Sequence, residues 1–238
     1  MPTLTVDGRF CGPPGYANGG YLAGLMAQHT TERVRIRLHR PIPLNTDLQL
    51  RPLQDGGLEL LLGDATLARA TPVEFKLDVP TPPTYLQALE ASRHFVGFAT
   101  HPAPRCFVCG TERARGDGLR LFAGRVNAGS ALNSVAAPWS ADDSLSDGEG
   151  KVRAVFISSA LDCPGAFAAR NDGTPMLLGE FTAHIDRCVH VEEPCVIIGW
   201  RISVSGRKYE VGTALFDEDG ELCARARAVW IESPYPSP

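Results

Sequence analysis

A chain of 238 residues with 23 Lys and Arg against 27 Asp and Glu carries a net charge of −4, too weakly acidic to read as a nucleic-acid-binding surface. With 44% hydrophobic and 21% charged residues it has the composition of an ordinary globular protein able to bury a sizeable core, which excludes a disordered or fibrous chain. No apolar run approaches the roughly 20 residues a membrane-spanning helix needs, so no membrane partner is expected.

The first residues, MPTLTVDGRF, have neither a basic stretch nor an apolar one, and no secretory leader is expected from them. Seven cysteines, an odd number scattered over the chain, point to reduced thiols in a cytoplasmic protein rather than to a disulfide framework.

Taken in order, residues 10–30 open as a turn-rich loop (Pro13, Pro14, Gly15) and run into an apolar helical stretch, Tyr21–Met26, with Asn18 as its N-cap. Gly19 and Gly20 at such a helix start leave backbone N–H groups bare, and donors at a positive helix end can hold an oxyanion. A capped helix whose glycines serve only close packing fits the same residues. Strand patterns follow: Arg33–His39 alternates at period two, Asp47–Leu53 resumes after Pro41-Ile42-Pro43, and Leu58–Leu62 and Ala65–Phe75 follow the Asp55-Gly56-Gly57 turn. Arg33, Arg35 and Arg37 then share the solvated face. Residues 81–104 read as a proline-bracketed linker carrying one crossing helix between Tyr85 and Phe95, which divides the chain into domains 1–80 and 105–238.

The second half begins with a CxxC, Cys106 and Cys109, but no second pair stands at similar spacing, so no metal is expected. Strands are expected at Gly118–Phe122 and Asn127–Pro138, then an acidic loop over 142–150. The segment KVRAVFISSALDCPGAFAAR, Lys151–Arg170, is apolar or small except for one carboxylate, Asp162. An ionised Asp is costly to bury without compensating bonds, which makes it the sharpest functional hint in the sequence. Asp162 capping a helix that starts at Pro164 is the plainer alternative. Four further strands are expected at Pro175–His190, Pro194–Val204, Tyr209–Phe216 and Glu221–Glu232. Both halves thus run through an apolar helix and an antiparallel meander, with an Asp-Gly turn at 55–56 and again at 219–220, an internal repeat of about 110 residues.

A helix wrapped by a curved antiparallel sheet, present twice, gives an α+β class and a double hot dog architecture. The first half resembles the acyl-CoA thioesterase II and thioesterase-like families, whose GG(Y/Q) opens the helix. Here the residues are Asn18-Gly19-Gly20-Tyr21, and RLHRPIPLNTDLQL is similar to the phrase linking the next strands. In the second half Ala160-Leu161-Asp162 falls where those families carry a helix Asp, and Thr182 stands eight residues before His190 like their strand Thr/Ser. FDEDGELCA resembles their last hairpin. The pieces Cys106–Gly110 and Gly118–Phe122 resemble an opening found in single-domain PaaI-type thioesterases. One residue departs: where those families place a Gln on the final strand, this chain has Ala228.

The resemblance implies hydrolysis of an acyl-CoA or acyl-carrier thioester with no cofactor. Asp162 would activate a water as general base, its pKa raised by burial, with the Thr182 hydroxyl on the same water. Backbone N–H groups around Asn18, Gly19, Gly20 and Tyr21 would form the oxyanion hole across a groove between the halves. Two alternatives stay open: an acyl-thioester-binding protein without activity, consistent with Ala228, and a hot dog hydratase or dehydratase, which needs a His near the Asp. His184 and Asp186 share the face of Thr182, where exposure to solvent explains them. His39, His94, His101 and His190 have no companions at metal-ligand spacing, the Ser158-Ser159 pair reads as packing, and no phosphate loop or G-x-S-x-G elbow is present. A homodimer is conceivable, although two halves in one chain already mimic one.

Overall fold

The alternation at period two forms strands where it is cleanest. In a computed structural model that describes residues 2–126 and 133–233, β1 (Thr3–Leu4), β2 (Val34–Leu38), β3 (Leu48–Pro52), β4 (Leu58–Leu62) and β5 (Ala65–Pro72) make up the first half of the sheet. The second half holds β6 (Gly124–Arg125), β7 (Val135–Trp139), β8 (Met176–Ile185), β9 (Cys195–Ser205), β10 (Lys208–Phe216) and β11 (Leu222–Glu232). All eleven join one antiparallel sheet in the order β1-β3-β4-β5-β2-β8-β11-β10-β9-β7-β6. The fold is therefore α+β, with a large antiparallel sheet and few helices.

The halves meet where β2 pairs with β8, Ile36 opposite Phe181 and Arg37 opposite Glu180. Apolar side chains fill the inner side of this seam, with Ile36 and Phe181 both buried. On the outer side Arg37 donates through Nε to Glu180 at 2.9 Å, and Arg35 lies 3.8 Å from the same carboxylate. Arg35 and Arg37 are thus on the outer face, as their spacing predicts, both beside the Glu180 carboxylate, whereas Arg33 meets His184 instead.

Among the described residues four α-helices pack on this sheet. Helices α1 (Gly19–Ala27), α3 (Ala154–Ala160) and α4 (Cys163–Ala169) occupy the inner face: α1 lies against α3 and β8, and α4 against β9 and β10. Helix α2 (Tyr85–Arg93), capped by a reciprocal Thr84–Gln87 box, covers the opposite face, where Ala88 joins Ala136, Ile198 and Trp200 in a separate apolar cluster. The linker segment is therefore docked, and Phe95 beyond it packs its ring 4.6 Å from that of Phe167 on α4. No helix among the described residues is long and apolar enough to cross a membrane.

Two strand expectations change. Gly118–Phe122 is not a strand: Leu119 and Leu121 donate to the carbonyls of Phe107 and Val108, and Arg120 sits at φ 53°, so the segment follows the CxxC loop instead of the sheet. Of the strand expected over 127–138, residues 127–132 lie outside the described residues, and β7 runs from Val135 to Trp139. The Asp-Gly turns form as expected, with Gly56 and Gly220 at φ 77° and 80°, a region glycine enters without strain.

The turn leading from α4 into β8 is held by Arg170, which donates through Nε to Asp172 at 3.0 Å and keeps that carboxyl down at about 2. Because this pKa is depressed in the folded state, the pair stabilises the protein above the ordinary carboxylate range and ceases to do so as pH falls from about 4 to about 2. Both side chains are about a third to a half exposed (34% and 47%), so the contribution is below about 1 kcal/mol. Urea midpoints of wild type and Asp172→Asn are expected to differ slightly at about pH 6 and to converge only as pH falls to about 2 and below.

Candidate active site

Asn18 leaves the loop in an extended conformation and caps α1, its Oδ1 accepting the Tyr21 N–H at 2.9 Å. The amide's other end points across the inner core. Its Nδ2 donates to Asp162 Oδ2 at 2.7 Å, and the Gly20 N–H donates to the same oxygen at 3.0 Å. One residue thus both starts the helix and orients an acid more than a hundred positions away.

Asp162 sits in the break between α3 and α4. Pro164 lies in the first turn of α4 and has no N–H to continue the α3 hydrogen-bond ladder, so the rod is interrupted at Leu161–Asp162. The Leu161 carbonyl accepts the Thr213 hydroxyl from β10 at 2.7 Å, and the Asp162 carbonyl accepts the Gly165 N–H at 3.0 Å. Asp162 occupies the N-cap position of α4, yet its side chain makes no capping bond. It turns instead to Asn18 and Gly20, which replaces the capping alternative.

Close approach of the two helices makes this possible. A Cβ on Gly20 would lie 2.6 Å from Asp162 Cβ and 2.8 Å from the Ser158 carbonyl oxygen. One on Gly24 would lie 2.9 Å from Ser158 Cβ and 3.0 Å from Val155 Cα. Ser158 closes the contact by donating its hydroxyl to the Gly20 carbonyl at 2.8 Å.

The carboxyl group is 2% exposed, and its Oδ1 is buried without a hydrogen-bond partner among the described residues. Burial raises its pKa, the Gly20 N–H opposes that, the nearby Cys106 thiol adds to it and the Asn18 amide opposes it again; the outcome is about 7. One oxygen is thus anchored by two donors while the other is left with open lone pairs.

Next to this site a cleft of about 440 Å³ runs between α1 and the β2–β8 seam, with Ala23, Gly24, Ile36, Phe181 and Ala183 as apolar walls. Ser158, one helical turn before Asp162, also lines it, and Asp162 itself does not. At its mouth Arg33 Nη2 contacts His184 Nδ1 at 2.7 Å, and His184 Nε2 lies 3.1 Å from Asp186.

Solved structures share the fold over nearly the whole chain. A tesB protein of Mycobacterium avium subsp. paratuberculosis superposes with a TM-score of 0.62 at 15% identity, covering 98% of this chain and 92% of that one. A conserved protein of unknown function with a hot dog fold from Alicyclobacillus acidocaldarius gives 0.60 at 11% identity, covering 98% and 93%. The chain has the hot dog fold. A candidate thioesterase II of Thermobifida fusca matches this hot dog chain similarly, at a TM-score of 0.59 and 17% identity over 97% and 91%. No protein-family model and no curated protein matches the sequence.

Within this hot dog framework the expected site residues separate. Asn18, Gly20 and Asp162 come together. Thr182 does not join them: Phe181 and Ala183 face the helices, so Thr182 points the other way, into an outer groove with Arg35, Glu180 and Arg227. The expected water shared by Asp162 and Thr182 is corrected accordingly. Thr182→Val is expected to leave any thioester turnover within about twofold, whereas Thr213→Val strips the Leu161 carbonyl of its partner at a cost of about 1–3 kcal/mol. Urea unfolding and a rate assay on both variants check this.

The expected amide cradle is altered as well, because the Gly20 N–H is used by Asp162 and the Tyr21 N–H by Asn18. Tyr21 places its ring in the core, stacked 4.0 Å from Phe10. Sequence reasoning missed Thr213, Gly24 and the Ser158 contact. The four-residue spacing of Gly20 and Gly24 in an apolar helix was the available signal for the close approach.

Proposed function

We propose that the chain is a double hot dog thioester hydrolase, β1–β5 with α1 forming one repeat and β6–β11 with α3 and α4 the other. Its substrate is an acyl-CoA or acyl-carrier thioester. One observation carries this reading: a buried carboxylate at the junction of the halves, with Oδ2 fixed by Asn18 and Gly20 and Oδ1 unpartnered. A carboxylate anchored in this way can hold a water on its free oxygen and accept that water's proton as it attacks the thioester carbonyl.

The acyl chain lies in the apolar cleft, whose volume is in the range of small-ligand pockets. The carbonyl reaches Asp162 past Ser158. Gly19, the first amide of α1 and unused by either the Asn18 or the Asp162 side chain, supplies a donor for the oxyanion. The tetrahedral intermediate then collapses, expelling the thiolate, which leaves as the free thiol on gaining a proton.

A second reading, an acyl-thioester-binding protein without hydrolysis, is favoured by two features. Ala228 stands opposite Val211, which lies over Gly165 of α4, so it faces the helices at the position where the thioesterase II resemblance expects a Gln. Asp162 also does not itself line the cleft. A hydratase is disfavoured because Asp162 pairs with Asn18 and Gly20 and not with a histidine.

A panel of acyl-CoAs of graded chain length, followed by thiol detection and thermal shift on the same samples, separates the two. Thiol release supports hydrolysis. A rise in melting temperature with no thiol from any member supports binding alone.

A further inference from the structure

Three buried cysteines beside the Asp162 site take no part in the chemistry above. The sulfurs of Cys106, Cys109 and Cys163 lie within 4.8 Å of one another, with Cys106 and Cys163 3.6 Å apart. They come from two distant places: the CxxC loop before α4's half of the sheet, and the first residue of α4 itself. The remaining cysteines form no such group among the described residues.

Thiols also pack as small hydrophobic groups, so proximity alone decides little. The loop, however, is built around a sulfur. The Gly110 N–H closes a tight turn on the Cys106 carbonyl at 2.9 Å, and the Asn18 amide approaches the Cys106 sulfur at 4.0 Å. A side chain on Gly110 could not fit, since its Cβ would lie 2.4 Å from that carbonyl and 2.8 Å from that of Pro104. Residues Cys106-Phe107-Val108-Cys109-Gly110 thus make a tight knuckle that brings two thiols together beside the third.

Sulfur spacing points the same way. Two sulfurs bound to one zinc ion at about 2.3 Å in tetrahedral geometry stand about 3.8 Å apart, close to the Cys106–Cys163 separation. A disulfide needs about 2.05 Å and would use two thiols while stranding the third. Three converging thiolates suit a soft divalent ion.

We propose that Cys106, Cys109 and Cys163 form a three-thiolate site for a zinc ion. Binding replaces the thiol protons, which pass to the solvent, and fastens the knuckle to the start of α4. The site adjoins the candidate active site: the Asn18 amide stands 4.0 Å from Cys106 Sγ and 2.7 Å from Asp162 Oδ2. The ion is a positioning element for the residue next to Cys163, and its binding does not depend on the thioesterase reading.

The full chain, reduced and stripped with a chelator, is titrated with Co2+ and then with Zn2+. The expected result is a sulfur-to-cobalt charge-transfer band with tetrahedral visible bands, saturating at one ion per chain and erased by zinc. Zinc is also expected to raise the melting temperature of the stripped protein. Cys106→Ser, Cys109→Ser and Cys163→Ser should each weaken zinc binding at least about 100-fold, with Cys188→Ser unchanged. Absence of the band in the folded wild type overturns the proposal, as does undiminished binding by Cys163→Ser. Should the serine variants fail to fold, the wild-type stoichiometry and the number of thiols protected from alkylation by zinc decide: three protected thiols uphold it, two or none overturn it.

Discussion

Asp162→Asn is expected to lower thioester turnover by about 100- to 10,000-fold, the range over which a positioned general base contributes. What the Asn side chain retains decides the outcome. Its carbonyl oxygen still accepts from the Asn18 amide and the Gly20 N–H, which now meet at Asp162 Oδ2 at 2.7 and 3.0 Å, so the contact between α1 and the α3–α4 break survives. The charge disappears from a site where burial disfavours it. Stability should therefore stay within about 1 kcal/mol of wild type while proton acceptance is lost. Asp162→Ala makes the contrast, since it leaves two buried donors without an acceptor at about 1–3 kcal/mol each. Rates and urea midpoints for the three proteins check this; equal turnover by wild type and Asp162→Asn would remove Asp162 from the mechanism.

Gly20→Ala is the second large effect, and it should damage stability and activity together. The new Cβ would meet Asp162 Cβ at 2.6 Å and the Ser158 carbonyl at 2.8 Å, and neither atom belongs to the far end of a flexible side chain. Relief requires α1 to move off α3, which breaks the Ser158–Gly20 bond and draws the Gly20 N–H away from Asp162. Overpacking of this kind costs about 1–3 kcal/mol. Turnover should fall because the anchored oxygen loses a donor. A variant with wild-type urea midpoint and wild-type rate would show that the helix contact is looser than described.

Much of this architecture could be read in advance. Val34 and Ile36 alternate with Arg35 and Arg37, and the strand forms with the apolar pair inward and the arginines outward. Asp162 stood out as one acid in an apolar segment, and it is buried. What the residues could not give was its partner, because the Asn18–Asp162 bond spans 144 positions and depends on how α1 meets α3. Thr182 shows a different limit. Likeness places a residue along a strand but does not settle its face. Here the pairing of Phe181 with Ile36 on one side and Ala228 on the other, all three buried, turns Phe181 inward and Thr182 outward. Counting pairs along the chain finds no metal site at the CxxC, because no second pair stands at similar spacing. Its third sulfur comes from Cys163, brought in by the break at Pro164, and no local spacing encodes that meeting.

In the proposed mechanism Asp162 hands a water, and not itself, to a thioester carbonyl. Single-turnover hydrolysis of an acyl-CoA in oxygen-18 water, with protein in excess, tests that most directly. Mass spectrometry should find the heavy oxygen in the released carboxylic acid and none in the peptide containing Asp162. Heavy oxygen in that peptide after one turnover, or no acid released at all, would contradict it.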